Sequence, residues 1–148
     1  MYKHILIPTD GSAVSLKAAR EAAKLARAGK SKVTALYVMA PYMPQVIGDG
    51  YISPSNGSMA RRYREKSEKV AGKALDKIAT ASGVKERCNK VIVTNDQPWA
   101  GIIKAARDNK CDVIVMGSRG RGSVAGLLLG SETTQVLSHS KTPVLVCR

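Results

Sequence analysis

At 148 residues and 44% apolar content the chain is long enough for one domain with a real core; with no Phe, one Trp and five Tyr, that core must be aliphatic. A formal charge of +13 points to anionic partners (nucleotide, nucleic acid or a membrane surface), against the plainer reading of a solvated surface. No stretch approaches the ~18 apolar residues of a membrane span and the apolar part of the opening is too short for a signal peptide, so no membrane partner is expected.

The first strand is expected over residues 4–8, a continuous apolar run ended by Pro8. Asp10-Gly11-Ser12 then turns the chain, and Ser12 is a candidate N-cap for a helix over residues 13–28. Along it Lys17, Arg20, Glu21, Lys24 and Arg27 recur at helical spacing while Leu16, Ala19, Ala23 and Ala26 line the other side. Residues 32–39 read as the second strand. Residues 41–58, rich in Pro, Gly, Ser and Tyr, read as a long loop, either a lid or a disordered stretch.

The longest helix is expected over residues 59–82, with Tyr63, Val70, Ala74, Leu75 and Ile78 on its apolar face. Arg62, Lys66, Lys69, Lys73 and Lys77 follow one another there at three- and four-residue steps. Like charges so spaced repel, relieved in part by Glu65 and Glu68, so the stripe is a candidate surface for nucleic acid or another polyanion. No interleaved aromatic or nucleic-acid motif accompanies it. A third strand follows over residues 89–94, and Pro98 marks the next helix start, with Trp99, Ile102, Ile103 and Ala106 as its buried face. The fourth strand, residues 112–116, runs into a glycine loop; a short helix over residues 132–138 and a last strand over residues 143–147 complete the pattern. Strands separated by helix-length segments imply right-handed crossovers and a parallel sheet.

Gly117-Ser118-Arg119-Gly120, nine residues, then Gly130-Ser131 is the chain's most specific signature. It stands after an apolar strand and before a helix, where such sheets bind phosphates. Glycines let backbone N–H groups approach a ligand, and Arg119 and Arg121 add positive potential. Ser131 can cap the following helix, but capping alone does not account for five glycines (117, 120, 122, 126 and 130) within fourteen residues; a close ligand explains them better than a merely flexible loop. Asp10, at the end of the first strand, could hold a ribose hydroxyl or a magnesium ion, or serve the first helix start. The two loops converge if the first and fourth strands are neighbours.

Other chemistries lack their residues. The G-x-x-x-x-G-K-[ST] loop is absent, and Gly120-Arg121-Gly122-Ser123-Val124-Ala125, although it fits G-x-G-x-x-A, has no acidic residue about twenty positions on to hold a ribose. His4 and His139 have no metal or triad spacing. Cys88, Cys111 and Cys147 are scattered and read as small buried side chains of a reducing cytoplasm.

Pro8-Thr9-Asp10-Gly11-Ser12, the glycine signature and Pro143-Val144-Leu145-Val146 together resemble the universal stress protein family, in its ATP-binding branch, over essentially the whole chain. The resemblance implies a single Rossmann-like (adenine nucleotide alpha hydrolase-like) α/β domain over residues 1–148, with a five-stranded parallel sheet of order 3-2-1-4-5 and helices on both faces. It implies a cytoplasmic stress-response protein, homodimeric through the last strand at Val144-Leu145-Val146, with ATP bound, with or without Mg. Pro8, Thr9, Asp10 and the Val38 backbone would frame adenine and ribose. Gly117, Ser118, Arg119, Gly120, Arg121, Gly122 and Ser123 would wrap the phosphates, joined by Ser131, Glu132 and Thr133 at the helix start; Met116 and Gly130 belong to the same nucleotide-binding set. Glu132 departs from the pattern, since an acid there repels a triphosphate unless it points away or meets a cation. Beside a nucleotide-responsive binding protein stand two alternatives: a slow ATPase with Asp10 on the metal and Arg119 and Arg121 on the phosphates, and a nucleotide-free module acting through the basic stripe.

Overall fold

A computed structural model of the chain describes residues 1–44, 46–47, 51–52, 57–120 and 128–148. Five strands form one parallel sheet: β1 (His4–Thr9), β2 (Lys32–Met39), β5 (Cys88–Thr94), β6 (Val113–Gly117) and β7 (Val144–Cys147), in the order β5-β2-β1-β6-β7. Counted in chain order within this sheet, that is 3-2-1-4-5, as the resemblance implied. Burial follows position. Ile5, Leu6 and Ile7 of β1 and Val113 to Gly117 of β6 are buried on both faces, as parallel strands between two helical layers must be. The edge strands β5 and β7 alternate between half-buried and exposed positions over most of their length.

One face of the sheet carries α1 (Ala13–Gly29) and α2 (Gly57–Ala81), the other α3 (Pro98–Asp108) and α4 (Ser131–His139). Alanines at 18, 19, 22 and 26 let α1 lie close against Ile5, Ile7, Val113 and Val115. Ile102, Ala105, Ala106 and Val136 fill the opposite layer with Leu6, Leu36, Ile114 and Met116. Ser12 caps α1 as expected, its Oγ accepting from the Ser15 N–H at 3.3 Å. Gly11 before it has φ +83, a left-handed turn suited to glycine.

Several expectations need correction. Tyr63 and Val70 are exposed on α2, whose buried residues are Ala71, Ala74, Leu75, Ile78 and Ala79. On α3 the buried set is Gly101, Ile102, Ala105 and Ala106, while Trp99 and Ile103 are only half-covered. The expected loop over residues 41–58 contains the antiparallel pair β3 (Val46–Ile47) and β4 (Tyr51–Ile52) as well as the start of α2, and the rest of the lid expectation lies largely outside the described residues. Among the described residues no helix is long and apolar enough to cross a membrane.

Candidate functional site

Because β1 and β6 are neighbours, the turn after β1 and the loop after β6 open at the same carboxyl edge of the sheet. Thr9 is buried at the end of β1, where its Oγ1 meets Ser15 Oγ at 2.8 Å and accepts the Gly11 N–H at 3.0 Å. Asp10 Oδ1 accepts the Ser12 N–H at 2.9 Å, which turns the carboxylate back over the start of α1. A Cβ on Gly120 would stand 2.7 Å from Asp10 Oδ2, so the β6 loop comes against the Asp10 carboxylate and only glycine fits there undisturbed.

The start of α4 closes the third side. Gly130, not Ser131, is its N-cap, with no side-chain capping bond, and Ser131 is the first residue of the helix. This corrects the capping role expected of Ser131. A glycine cap has no side-chain oxygen to satisfy the first-turn N–H groups of Ser131, Glu132 and Thr133. Thr133 Oγ1 donates to the Gly117 carbonyl at 3.0 Å, and the Gly130 N–H donates to the Ser118 carbonyl at 2.8 Å, fastening this helix end to the end of β6.

Between these elements lies a cleft of about 370 Å³, within the size range of small-molecule sites. Pro8, Thr9, Asp10, Val38, Met116, Gly117, Arg119, Gly120, Ser131, Glu132 and Thr133 line it. Ser118 and Gly130 do not. Both are buried behind the wall, Ser118 with its N–H donated to the Cys147 carbonyl at 2.7 Å. Arg121, Gly122 and Ser123 lie outside the described residues.

The cleft also takes in Ser15, Leu36, Tyr37, Pro98 and Ile102. Leu36, Tyr37 and Pro98 follow from the carboxyl-edge rule applied to β2 and to the connection after β5, while Ile102 carries only the ordinary sign of a buried helix face. Leu36, Val38, Ile102 and Met116 make one end apolar, suited to a flat heterocycle. Gly120, Arg119 and the α4 start make the other end rich in N–H groups and positive dipole, suited to phosphate.

Glycine freedom is not what Gly117 supplies: a Cβ there would fall 2.7 Å from Val14 Cγ1, so it permits close packing of β6 on α1. A Cβ on Gly130 would meet the Arg119 Cα at 3.3 Å. At these two positions the close neighbour is the protein itself, which corrects the reading that a ligand explains every glycine.

Neither histidine nor any cysteine lines the cleft. Burial, then the Asp112 charge, pushes the Cys111 thiol up to about 11, and burial also raises Cys88 and Cys147, so none is poised as a nucleophile. Among the described residues no cluster of His, Cys, Asp and Glu could hold a metal unaided.

The sequence profile of the Universal stress protein family matches residues 1–148. The chain belongs to that family. Universal stress protein MJ0531 of Methanocaldococcus jannaschii is 32% identical over 150 residues, spanning 100% of this chain and 83% of that protein. A universal stress protein of Thermus aquaticus is 31% identical over 148 residues, spanning 100% of both chains. Among solved structures, universal stress protein UspA of Lactobacillus plantarum superposes with TM-score 0.78 at 26% identity, covering 99% of this chain and 98% of its own. A universal stress protein in complex with cAMP gives TM-score 0.74 at 23% identity, covering 99% and 97%. The Archaeoglobus fulgidus protein in complex with dAMP gives 0.65 at 17%, covering 99% and 98%. The last two share the fold with this chain.

Proposed function

We propose that this universal stress protein binds ATP in the cleft at the carboxyl edge of the sheet, with the nucleotide acting as signal or stabilising ligand in a cytoplasmic, homodimeric stress-response protein. The observation that carries the reading is the convergence of the β1 turn, the β6 loop and the uncapped start of α4 on one cleft with an apolar end and an N–H-rich end. The same fold holds cAMP in one neighbour and dAMP in another, which supports the class of ligand. Pro8, Thr9, Asp10 and Val38 would frame adenine and ribose. Gly117, Arg119 and Gly120 with Ser131, Glu132 and Thr133 would take the phosphate end, together with Arg121, Gly122 and Ser123, while Met116 stands at the apolar end; Ser118 and Gly130 would act from behind, by holding the wall.

Magnesium is commonly held by one or two carboxylates plus the substrate's own phosphates. Asp10 fits that arrangement as the protein carboxylate. The ion would offset phosphate charge.

Ligand in about hundredfold excess over Kd adds about 2.7 kcal/mol to native stability, or roughly 5–10 °C in Tm for a domain of this size. Nucleotide-stripped protein is therefore expected to melt higher with millimolar Mg-ATP, and Gly120→Val, which drives a side chain into Asp10, to lose that shift. An unshifted Tm in the parent protein would overturn the reading.

A second reading concerns α2. Arg62, Lys66, Lys69, Lys73 and Lys77 are all exposed, on the helical layer that also carries the exposed Lys17, Arg20 and Arg27 of α1 and Lys24, which pairs with Glu21. This concentration of cations on one helical layer favours a polyanion, nucleic acid first, docking away from the cleft.

A further inference from the structure

Although the chain as a whole is strongly basic, the charged side chains lining the cleft are, among the described residues, Asp10 and Glu132 against Arg119. Glu132 is the second residue of α4. Its Oε2 accepts the main-chain N–H of Trp99 at 2.8 Å, across 33 residues of sequence. Trp99 is the second residue of α3. The N-cap there, Gln97, makes no side-chain capping bond, and Pro98 has no N–H to offer, so the Trp99 N–H is the first donor that α3 presents. Glu132 therefore spans two helix starts, rooted on one and accepting from the other. Its negative charge is favoured by both dipoles, and it is fixed in the lining of the cleft, on the helix whose start offers its N–H groups to phosphate.

We propose that Glu132 makes the cleft discriminate among adenine nucleotides by the charge of the phosphate tail, favouring a monophosphate or a metal-bound triphosphate over the free triphosphate. The proposal rests on the nucleotide reading above. A monophosphate ester carries about −1.5 to −2 at neutral pH, and each further phosphate would add charge toward the start of α4, on which Glu132 is rooted. In a partly desolvated cleft, one fixed charge facing about two additional negative charges changes affinity by roughly ten- to a hundredfold. Magnesium cancels much of that excess before the tail arrives. Glu132 need not contact the nucleotide for this: it acts through its field.

The test is titration calorimetry of nucleotide-stripped protein with AMP, with ATP in chelator, and with ATP plus Mg. Glu132→Gln keeps an oxygen for the Trp99 N–H while removing the charge, and emission from the single Trp reports whether the joint between α3 and α4 persists. The expected result is that Glu132→Gln tightens metal-free ATP by about tenfold or more, AMP by less than about threefold, and Mg-ATP by an intermediate factor. Glu132→Asp keeps the charge but is one methylene too short for Trp99. It is expected to disturb the joint yet retain the parent preference, and it decides the matter should the Gln variant fail to fold.

Equal changes for AMP and metal-free ATP in Glu132→Gln, or loss of the preference in Glu132→Asp, would overturn the discrimination and leave nucleotide binding standing. Absence of any adenine-nucleotide binding in parent and variants alike would bring down the nucleotide reading and this proposal with it.

Discussion

His4 sits at the start of β1 with Nε2 2.8 Å from Thr34 Oγ1. Burial first, then the Lys32 charge, lower its pKa from 6.5, outweighing the Asn109 main chain and the Asp112 carboxylate, which raise it. A histidine with a folded pKa below its unfolded one holds fewer protons in the folded state. Its contribution is therefore complete above about pH 6.5 and lost as pH falls through the folded value. Tm is expected to fall between pH 7 and pH 5, and His4→Gln to flatten that part of the profile; an unchanged slope in the variant would refute the assignment. Asp112 acts lower on the scale. Burial would raise its carboxyl, but the N–H groups of Lys3 and His4, at 2.7 and 3.0 Å, help bring it below 3.8, so its share is lost in stronger acid. Residues lining the cleft were legible in sequence where chemistry and backbone coincide, as at Thr9, Asp10 and Gly120. Glu132 was legible as an acid out of place, whereas its partner Trp99 was not, because nothing local links residues so far apart. Ser131 looked like a cap because serine caps well, but the helix already begins at Ser131 and its cap is Gly130, a residue that ranks below serine as a cap.

At the scale of elements, α2 is longer than the layer it covers. Its 25 residues extend about 37 Å, against about 26 Å for the eight residues of β2. Helical periodicity continues through Tyr63 and Val70, but Val70 lies one position off the buried face that begins at Ala71, and Tyr63 donates its hydroxyl to the Ala40 carbonyl at 3.2 Å beside Tyr42, so apolar spacing alone misread both as core. The exposed, cation-rich length is where the polyanion reading is tested. Replacing Arg62, Lys66, Lys69, Lys73 and Lys77 by Gln is expected to abolish most of any salt-sensitive binding to duplex nucleic acid, lowering the log-log salt slope by up to about 0.9 for each phosphate no longer neutralised. The melting shift with Mg-ATP should persist in that variant. A parent protein whose duplex binding is absent, or indifferent to salt, ends this reading. Strands were the most legible elements, because buried parallel strands are short unbroken apolar runs bounded by polar turns. The pair β3 and β4, only two residues each, is too short for any period to register.

For the whole molecule, the strand order was readable only through family resemblance; the alternation of strands and helices by itself gives a parallel sheet but leaves neighbours undetermined. The order matters for assembly, since it leaves β7 at an edge. Leu145 on that strand is 41% exposed, and Leu137 and Leu128 add further exposed apolar surface in the described residues. An apolar edge strand is a template for another strand unless covered. A second copy pairing antiparallel along β7 would cover it, consistent with the proposed homodimer. Leu145→Lys is expected to convert a dimer to a monomer in sedimentation velocity while the fold survives. A parent protein that sediments as a monomer at high micromolar concentration would count against β7 as the interface.

The outermost strand also serves the cleft from a distance. The last residue of β7 accepts the Ser118 N–H, and the carbonyl of Ser118 in turn accepts from the residue that opens α4. Two linked bonds thus run from the rim of the sheet to the wall that would face the phosphates. A second copy paired along that rim would stand two main-chain hydrogen bonds away from the proposed phosphate wall.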